Sequence, residues 1–335
     1  MNQSESSSTG KKDNAVDSIK RIAFIKSISR YSQIIGIENL GLCIVFLLIL
    51  VFFSLASPYF LTVRNIFDVL RQSTFILVPA LGMTLVILTA GIDLSVGSTI
   101  GLSAGITSVL LLQGLPTPLA VLGGIATGAV CGLINGLIIT RLGVTDFITT
   151  LATLSVFRGI LFTMTQGVPF AAFARPSFSQ IGRGNVGPIP VPVLVSAGLF
   201  FILFYLLNKT AMGRHLLALG SNREAARLSG VRVRRTKIWV YIIAGITFSI
   251  SGIMLASRLS SVPPDLGTGY ELSVIAAVVI GGTSLFGGRG SIVGTVIGAL
   301  MVAVIANGLI LLDVNPFYQY VINGILIVFA VAMNR

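Results

Sequence analysis

Charge is what this sequence has least of. Only 10% of its 335 residues are Asp, Glu, Lys or Arg, where a soluble domain carries about a quarter. Hydrophobic residues make up 54% and mean hydropathy is +0.95, which excludes an ordinary soluble domain. Histidine occurs once, as His215, so no His-based metal cluster or catalytic triad can be assembled. The two cysteines, Cys43 and Cys131, fall in apolar runs and read as buried free thiols, not as a disulfide or metal site. No G-x-x-x-x-G-K-[ST] segment is present, so the chain has no phosphate loop to hold ATP. No Cys cluster and no nucleophile beside a base is evident. A chain without these groups reads as a conduit and not an enzyme, with no cofactor or metal of its own.

What is there is apolar sequence in long runs, glycine, and base in two places. The thirty-seven glycines suit closely packed spanning helices. The net charge of +12 is uneven: of 23 Lys and Arg, six precede residue 31 and eight lie between 208 and 237. That is positive-inside bias and not a nucleic-acid footprint. Residues 1–15 are polar and expected to be disordered, and no cleavable signal peptide is expected, because the first long apolar run begins near Leu40. Ile19, Ile22, Ile25 and Ile28 recur among Lys20, Arg21, Lys26 and Arg30. They read either as a basic amphipathic helix on the membrane face or as a juxtamembrane charge cluster. The chain thus divides into a cytoplasmic tail with this helix, 1–38, and a transmembrane domain, 39–335.

Apolar runs predict an all-α polytopic membrane protein with about ten spans. These are 40–57, 67–89, 94–112, 118–140, 146–165, 189–207, 238–257, 271–283, 291–312 and 317–334. The eighth is short and glycine-ended, the mark of a partial or broken span. Ten crossings put both termini and the basic loop 208–237 on the cytoplasmic side. The external loops are then 58–66, 113–117, 166–188, 258–270 and 313–316.

Two stretches repeat. Gly91-Ile92-Asp93-Leu94-Ser95-Val96 matches Gly269-Tyr270-Glu271-Leu272-Ser273-Val274; Asn135-Gly136-Leu137-Ile138 matches Asn307-Gly308-Leu309-Ile310; Val144 and Phe147 match Val314 and Phe317. Order is kept, so spans 2–5 and 7–10 read as related halves. Five spans separate equivalent helices, an odd number, so the halves run in opposite directions. Inverted repeats of this kind are frequent in transporters. Asp93 and Glu271 fall where spans 3 and 8 begin. There a carboxylate complements a helix dipole, or else gates a path together with Ser95 and Ser273. On span 5, Thr145, Thr149 and Thr153 share a face; they either line a path for a hydroxylated solute or bond to helix carbonyls. Arg158 on the same span needs a partner, for which Asp68 and Asp93 are the candidates.

In the basic loop, Ser221-Asn222-Arg223-Glu224 reads as a capping box opening a short helix, which Gly230 closes in the left-handed conformation. Ala225, Ala226 and Leu228 lie between, beside Arg223 and Arg227. Such a helix suits insertion into another protein's cleft; the alternative is a solvated loop helix without a partner.

Taken with their wording, four segments resemble a known family: GMTLVILTAGIDLSVGS (82–98), NGLIITRLGVTDFITTLATLSVFRGI (135–160), GRHLLALGSNREAARLSGVRV (213–233) and TGYELSVIAAVVIGGTSLFGGRGSIVGTVIGAL (268–300). The chain is similar to the membrane permeases of bacterial ABC importers for monosaccharides, of the ribose, galactose, xylose and arabinose type. The resemblance implies a type II importer fold in the bacterial inner membrane and a second permease copy in a homodimer. It also implies a separate ABC ATPase, often a fused double ATPase, and a periplasmic sugar-binding protein. The segment Ser221 to Gly230 corresponds to the family's ATPase-coupling helix. Outside the resemblance, two rivals are an ion-coupled secondary carrier and a non-transporting membrane anchor. The first needs intramembrane carboxylates; the second needs no inverted repeat.

Overall fold

The computed structural model describes residues 37–171 and 175–315, with scattered positions from 317 to 328. The expected amphipathic helix at 16–35 and most of the tenth span lie outside the described residues. Elsewhere the chain is helical, as an all-α polytopic membrane protein requires. The helices are α1 Ile37–Ala56, α2 Val63–Leu88, α3 Val96–Leu112, α4 Thr117–Leu137, α5 Asp146–Thr165, α6 Pro176–Arg183, α7 Val191–Lys209, α8 Ala211–Ser221, α9 Arg223–Leu228, α10 Val233–Leu259, α11 Tyr270–Ile280 and α12 Ile292–Leu311. A π-turn, Ile138–Leu142, extends α4 and ends at Gly143, whose φ of 71° is left-handed. Six of these helices, α2, α4 (with its π-turn), α5, α7, α10 and α12, are long and apolar enough to cross a bilayer. Helix α11 has 11 residues, about 16 Å, half of a ~30 Å hydrocarbon core; the eighth span is indeed partial.

Helices α2 and α10 form the centre, and their shared packing shows the direction of each half. Ser251 on α10 donates to the Phe75 carbonyl on α2 at 2.8 Å, while Gly82 lies against Ala244 and Thr247. As α2 ascends from 75 to 82, α10 therefore descends from 251 to 244. The same test makes α12 antiparallel to α2, through Thr84 to Thr295 at 2.7 Å and Asn65 to Asn307 at 3.0 and 2.9 Å. It makes α4 antiparallel to α10, through Gly124 to Ile253 and Gly136 to Ile238. So α2 and α4 run one way, α10 and α12 the other. The two longest helices each end near a left-handed residue, Ala90 (φ 55°) after α2 and Ser260 (φ 53°) after α10, before the chain breaks and restarts as a shorter helix. Helix α4 packs on α10 as α12 packs on α2, and α3 packs on α10 as α11 packs on α2.

Close approach is glycine's contribution. Gly124, Gly128, Gly132 and Gly136 line one face of α4. Gly128 meets Gly245 so tightly that a methyl group on either would overlap the other's carbonyl oxygen. Backbones this close gain dispersion contacts that larger residues would prevent.

Loops gather at two ends. At one, Phe170 and Ala171 pair antiparallel with Val262 and Ser261. Ser257 donates to the Phe178 carbonyl at 2.6 Å and Arg71 donates to Asn185 Oδ1 at 2.8 Å. The loops 166–188 and 258–270 thus share an end, as ten crossings require. At the other, Gly288 N–H donates to the Leu88 carbonyl at 3.0 Å, and the basic loop packs on both.

Candidate functional site

The basic loop folds as an elbow of two helices. Thr210 accepts from Gly213 N–H and starts α8; Leu216 and Leu219 turn inward and anchor it. Gly220 fits where the Leu88 carbonyl and the Gly288 N–H leave room for no side chain. One residue therefore touches the end of α2, from the first half, and the 281–291 connection of the second.

Here the capping expectation needs correction. Ser221 does not cap α9. It is the last residue of α8, and its hydroxyl donates back to the Leu217 carbonyl at 2.9 Å. Asn222, extended at φ −157°, is the cap: its Oδ1 accepts from Ala225 N–H at 2.9 Å. Glu224 is turned outward to Arg227, whose Nε donates to it at 3.1 Å. That hydrogen bond holds the exposed Glu224 carboxyl below its ordinary range and raises Arg227. Gly230, at φ 86°, ends the helix as expected; Val231 N–H reaches back to the Ala226 carbonyl at 3.0 Å. Ala226 is buried and fixes α9 to the body, while Leu228 is 76% exposed, an apolar side chain offered outward between Arg223 and Arg227 and the basic run that follows.

Behind the elbow, Lys237 Nζ on α10 is 2.6 Å from Asp146 Oδ2 at the start of α5, each side chain 12% exposed. The pair borders a cleft of about 380 Å3 into which Arg223 and Arg234 also face.

Between the two ends, the breaks of the halves meet. Gly97 in the first turn of α3 lies against the Gly267 carbonyl and the Glu271 carboxylate. Asp93 is buried, accepting from the Ser95 N–H at 2.9 Å and hydroxyl at 2.6 Å. Asn135 on α4 donates to Ser95 Oγ at 2.9 Å and to Asp93 Oδ2 at 3.4 Å. Glu271, in the first turn of α11, accepts from Gly269 N–H at 3.2 Å. Ser273, one turn in, borders a separate cavity. Thr149 and Thr153 are buried on the inward face of α5, and Thr153 donates to the Thr149 carbonyl at 3.1 Å. The charge of Arg158 is met neither by Asp68 nor by Asp93: its Nη1 donates to the Leu266 carbonyl at 2.7 Å, in the break of the opposite half. Sequence reading missed the Lys237–Asp146 pair, which has no local signature. It also missed the role of Asn135, although the repeated Asn-Gly at 135 and 307 marked both asparagines; each makes an interhelical bond.

A family model described as branched-chain amino acid transport system / permease component matches residues 65–331. The ribose import permease protein RbsC of Bacillus subtilis (strain 168) is 44% identical over 299 residues, covering 89% of this chain and 93% of that protein. The protein of the same name from Escherichia coli (strain K12) is 41% identical over 295 residues, 87% and 92% of the two chains. The L-arabinose transport system permease protein AraH of Escherichia coli (strain K12) is 45% identical over 159 residues, 48% of each. No solved structure matches the chain.

Proposed function

We propose, from the premise that this chain belongs to the permease family of branched-chain amino acid transport system type, that it is the membrane subunit of an ATP-driven importer for a ribose-class monosaccharide. The carrying observation is identity of 41–44% to ribose import permeases over nearly nine-tenths of the chain. The inverted halves with facing helix breaks support it: two equivalent packings of one scaffold let a path open first to one side and then to the other.

In this reading the basic end is cytoplasmic, as are both termini, and the membrane is the bacterial inner membrane. A separate ATPase, in one fused double chain, seats on Asn222, Arg223, Glu224, Ala225, Arg227 and Gly230, with exposed Leu228 entering its cleft and buried Ala226 holding the helix from behind. Because Gly220 abuts both Leu88 and Gly288, a push on α9 reaches both halves. The loops 58–66, 166–188 and 258–270 receive a sugar-binding protein, and a second copy of this chain completes the path. Solute passes the junction of Asp93, Ser95, Thr149, Thr153 and Glu271 and the cavity beside Ser273. Ion coupling fits less well. Asp146 is neutralised by Lys237, Asp93 is held by Ser95 and Asn135, and Glu271 accepts from backbone. None of these three acids stands alone.

The test is uptake of labelled ribose and labelled leucine by cells expressing this chain with the ATPase and binding protein of its own gene cluster. Ribose uptake that disappears when this chain is omitted is expected. Leucine uptake in place of ribose uptake would overturn the sugar reading.

A further inference from the structure

Near the outward end of the second half's break lies a cavity of about 340 Å3, within the size range of small-molecule sites. Helix α2 supplies Gln72 and Phe75, the break and first turn of α11 supply Thr268, Tyr270 and Ser273, and α12 supplies an aliphatic wall between 302 and 309. Gln72 is the odd member. It stands more than two turns inside a spanning helix, partly buried, and its amide has no hydrogen-bond partner among the described residues. Its neighbours Ser73 and Thr74 bond back to the α2 carbonyls of Leu70 and Arg71 at 2.8 and 2.6 Å. An amide facing a cavity at that depth is costly to leave unpaired, and water or a solute in the cavity can meet it.

We propose that this cavity is a weak, transient site for the transported sugar inside the single subunit, with Gln72 and the hydroxyl of Thr268 reading sugar hydroxyls while Tyr270 covers a C–H face. It rests on the reading that the solute is a sugar. The chemistry is that of carbohydrate recognition: an amide offers two donors and an acceptor to vicinal hydroxyls, and an aromatic ring provides an apolar surface beside them. A sugar handed over by another protein needs such a site to be loose, on the order of millimolar, since a conduit that holds its solute tightly does not release it.

Thr268 is exposed at the mouth of the cavity and can carry a reporter. Thr268→Cys is placed in a Cys43→Ser, Cys131→Ala background and the full chain reconstituted in nanodiscs. The rate of labelling by a polar maleimide is read with and without solute. At about 50 mM, well above a millimolar Kd, ribose is expected to slow labelling at least fivefold, whereas leucine does not. Adding Gln72→Leu is expected to abolish protection while leaving the unfolding temperature unchanged or higher, because it removes an amide that bonds to none of the described residues. Protection by leucine, protection surviving Gln72→Leu, or a slowing seen only with alkyl detergent, which marks a lipid-filled cavity, would overturn the site. So would labelling indifferent to sugar in a chain that supports ribose uptake, an outcome that leaves the function intact. Absence of both uptake and protection removes the function as well.

Discussion

Lys237→Met isolates the ion pair that fastens α5 to α10. At 2.6 Å and an effective dielectric constant of ~20, the attraction between the two charges is about 6 kcal/mol. Desolvation of each ion costs several kcal/mol, so the pair nets little. Removing one partner is different, because it leaves the other charge in a site only 12% exposed. Leaving Asp146 alone costs about 3 kcal/mol, the low end for buried pairs, since some water reaches the site. The reciprocal change, Asp146→Asn, costs less, about 1–2 kcal/mol, because a lysine can extend its amine toward the membrane surface. Lys237→Met with Asp146→Leu removes both charges and regains most of the loss. The assay is reversible unfolding of the purified chain in mixed micelles, with the double-mutant cycle giving the coupling. Additive single and double losses would refute the reasoning, since they would mean that the two groups do not sense each other.

Other outcomes follow from the same geometry. Gly245→Ala puts a methyl against the Gly128 carbonyl and should lower stability by about 2 kcal/mol, whereas Gly159→Ala, in open space, should be neutral or slightly stabilising by helix propensity; the same unfolding assay reads both. Asn222→Ala should cost about 1 kcal/mol of α9 stability, and Ser221→Ala almost none, read as hydrogen exchange of the α9 amides. Glu224→Lys with Ala225→Asp should leave insertion and folding intact while separating ATP hydrolysis from uptake in the assembled importer; wild-type uptake by that variant removes α9 from the mechanism.

Much of this fold was legible because membrane burial writes itself into long apolar runs. Nine of the ten expected spans coincide with helices among the described residues, and the glycine pair at Gly281 and Gly282 marked the stunted α11. The repeat was legible for a related reason: Asp93 with Ser95, and Glu271 with Ser273, mark breaks that recur by symmetry. What was not legible depended on competition or on distance. Ser221 and Asn222 both have cap chemistry. Asn222 takes the role because α8, anchored by Leu216 and Leu219, runs through Ser221 and consumes the serine. Arg158 could not be paired from sequence, because its acceptor is a backbone carbonyl 108 residues away, and carbonyls have no identity in a sequence.

The two halves share a scaffold yet differ where they must. In the first, the break is closed by its own network, Asp93 and Ser95 with Asn135. In the second, Glu271 accepts from Gly269 N–H, and the long-range tie comes from the other half, through Arg158, which feels the Glu271 charge and donates to Leu266. The first break is therefore closed mainly by its own side chains, with the Gly288 N–H on the Leu88 carbonyl beside it, and the second is held by a side chain of the other half. The elbow of α8 and α9 adds a further asymmetry, since it lies at one end only and meets both halves there through Gly220. A perfectly symmetric inverted repeat gives its two conformations equal energy and so has no preferred direction. The unequal joints and the single elbow remove that degeneracy. In the proposed mechanism a force on α9 arrives near Leu88 and at the Gly288 connection, and the hydrogen bond from Arg158 to Leu266 is one of the ties between the halves that would part as they move against each other.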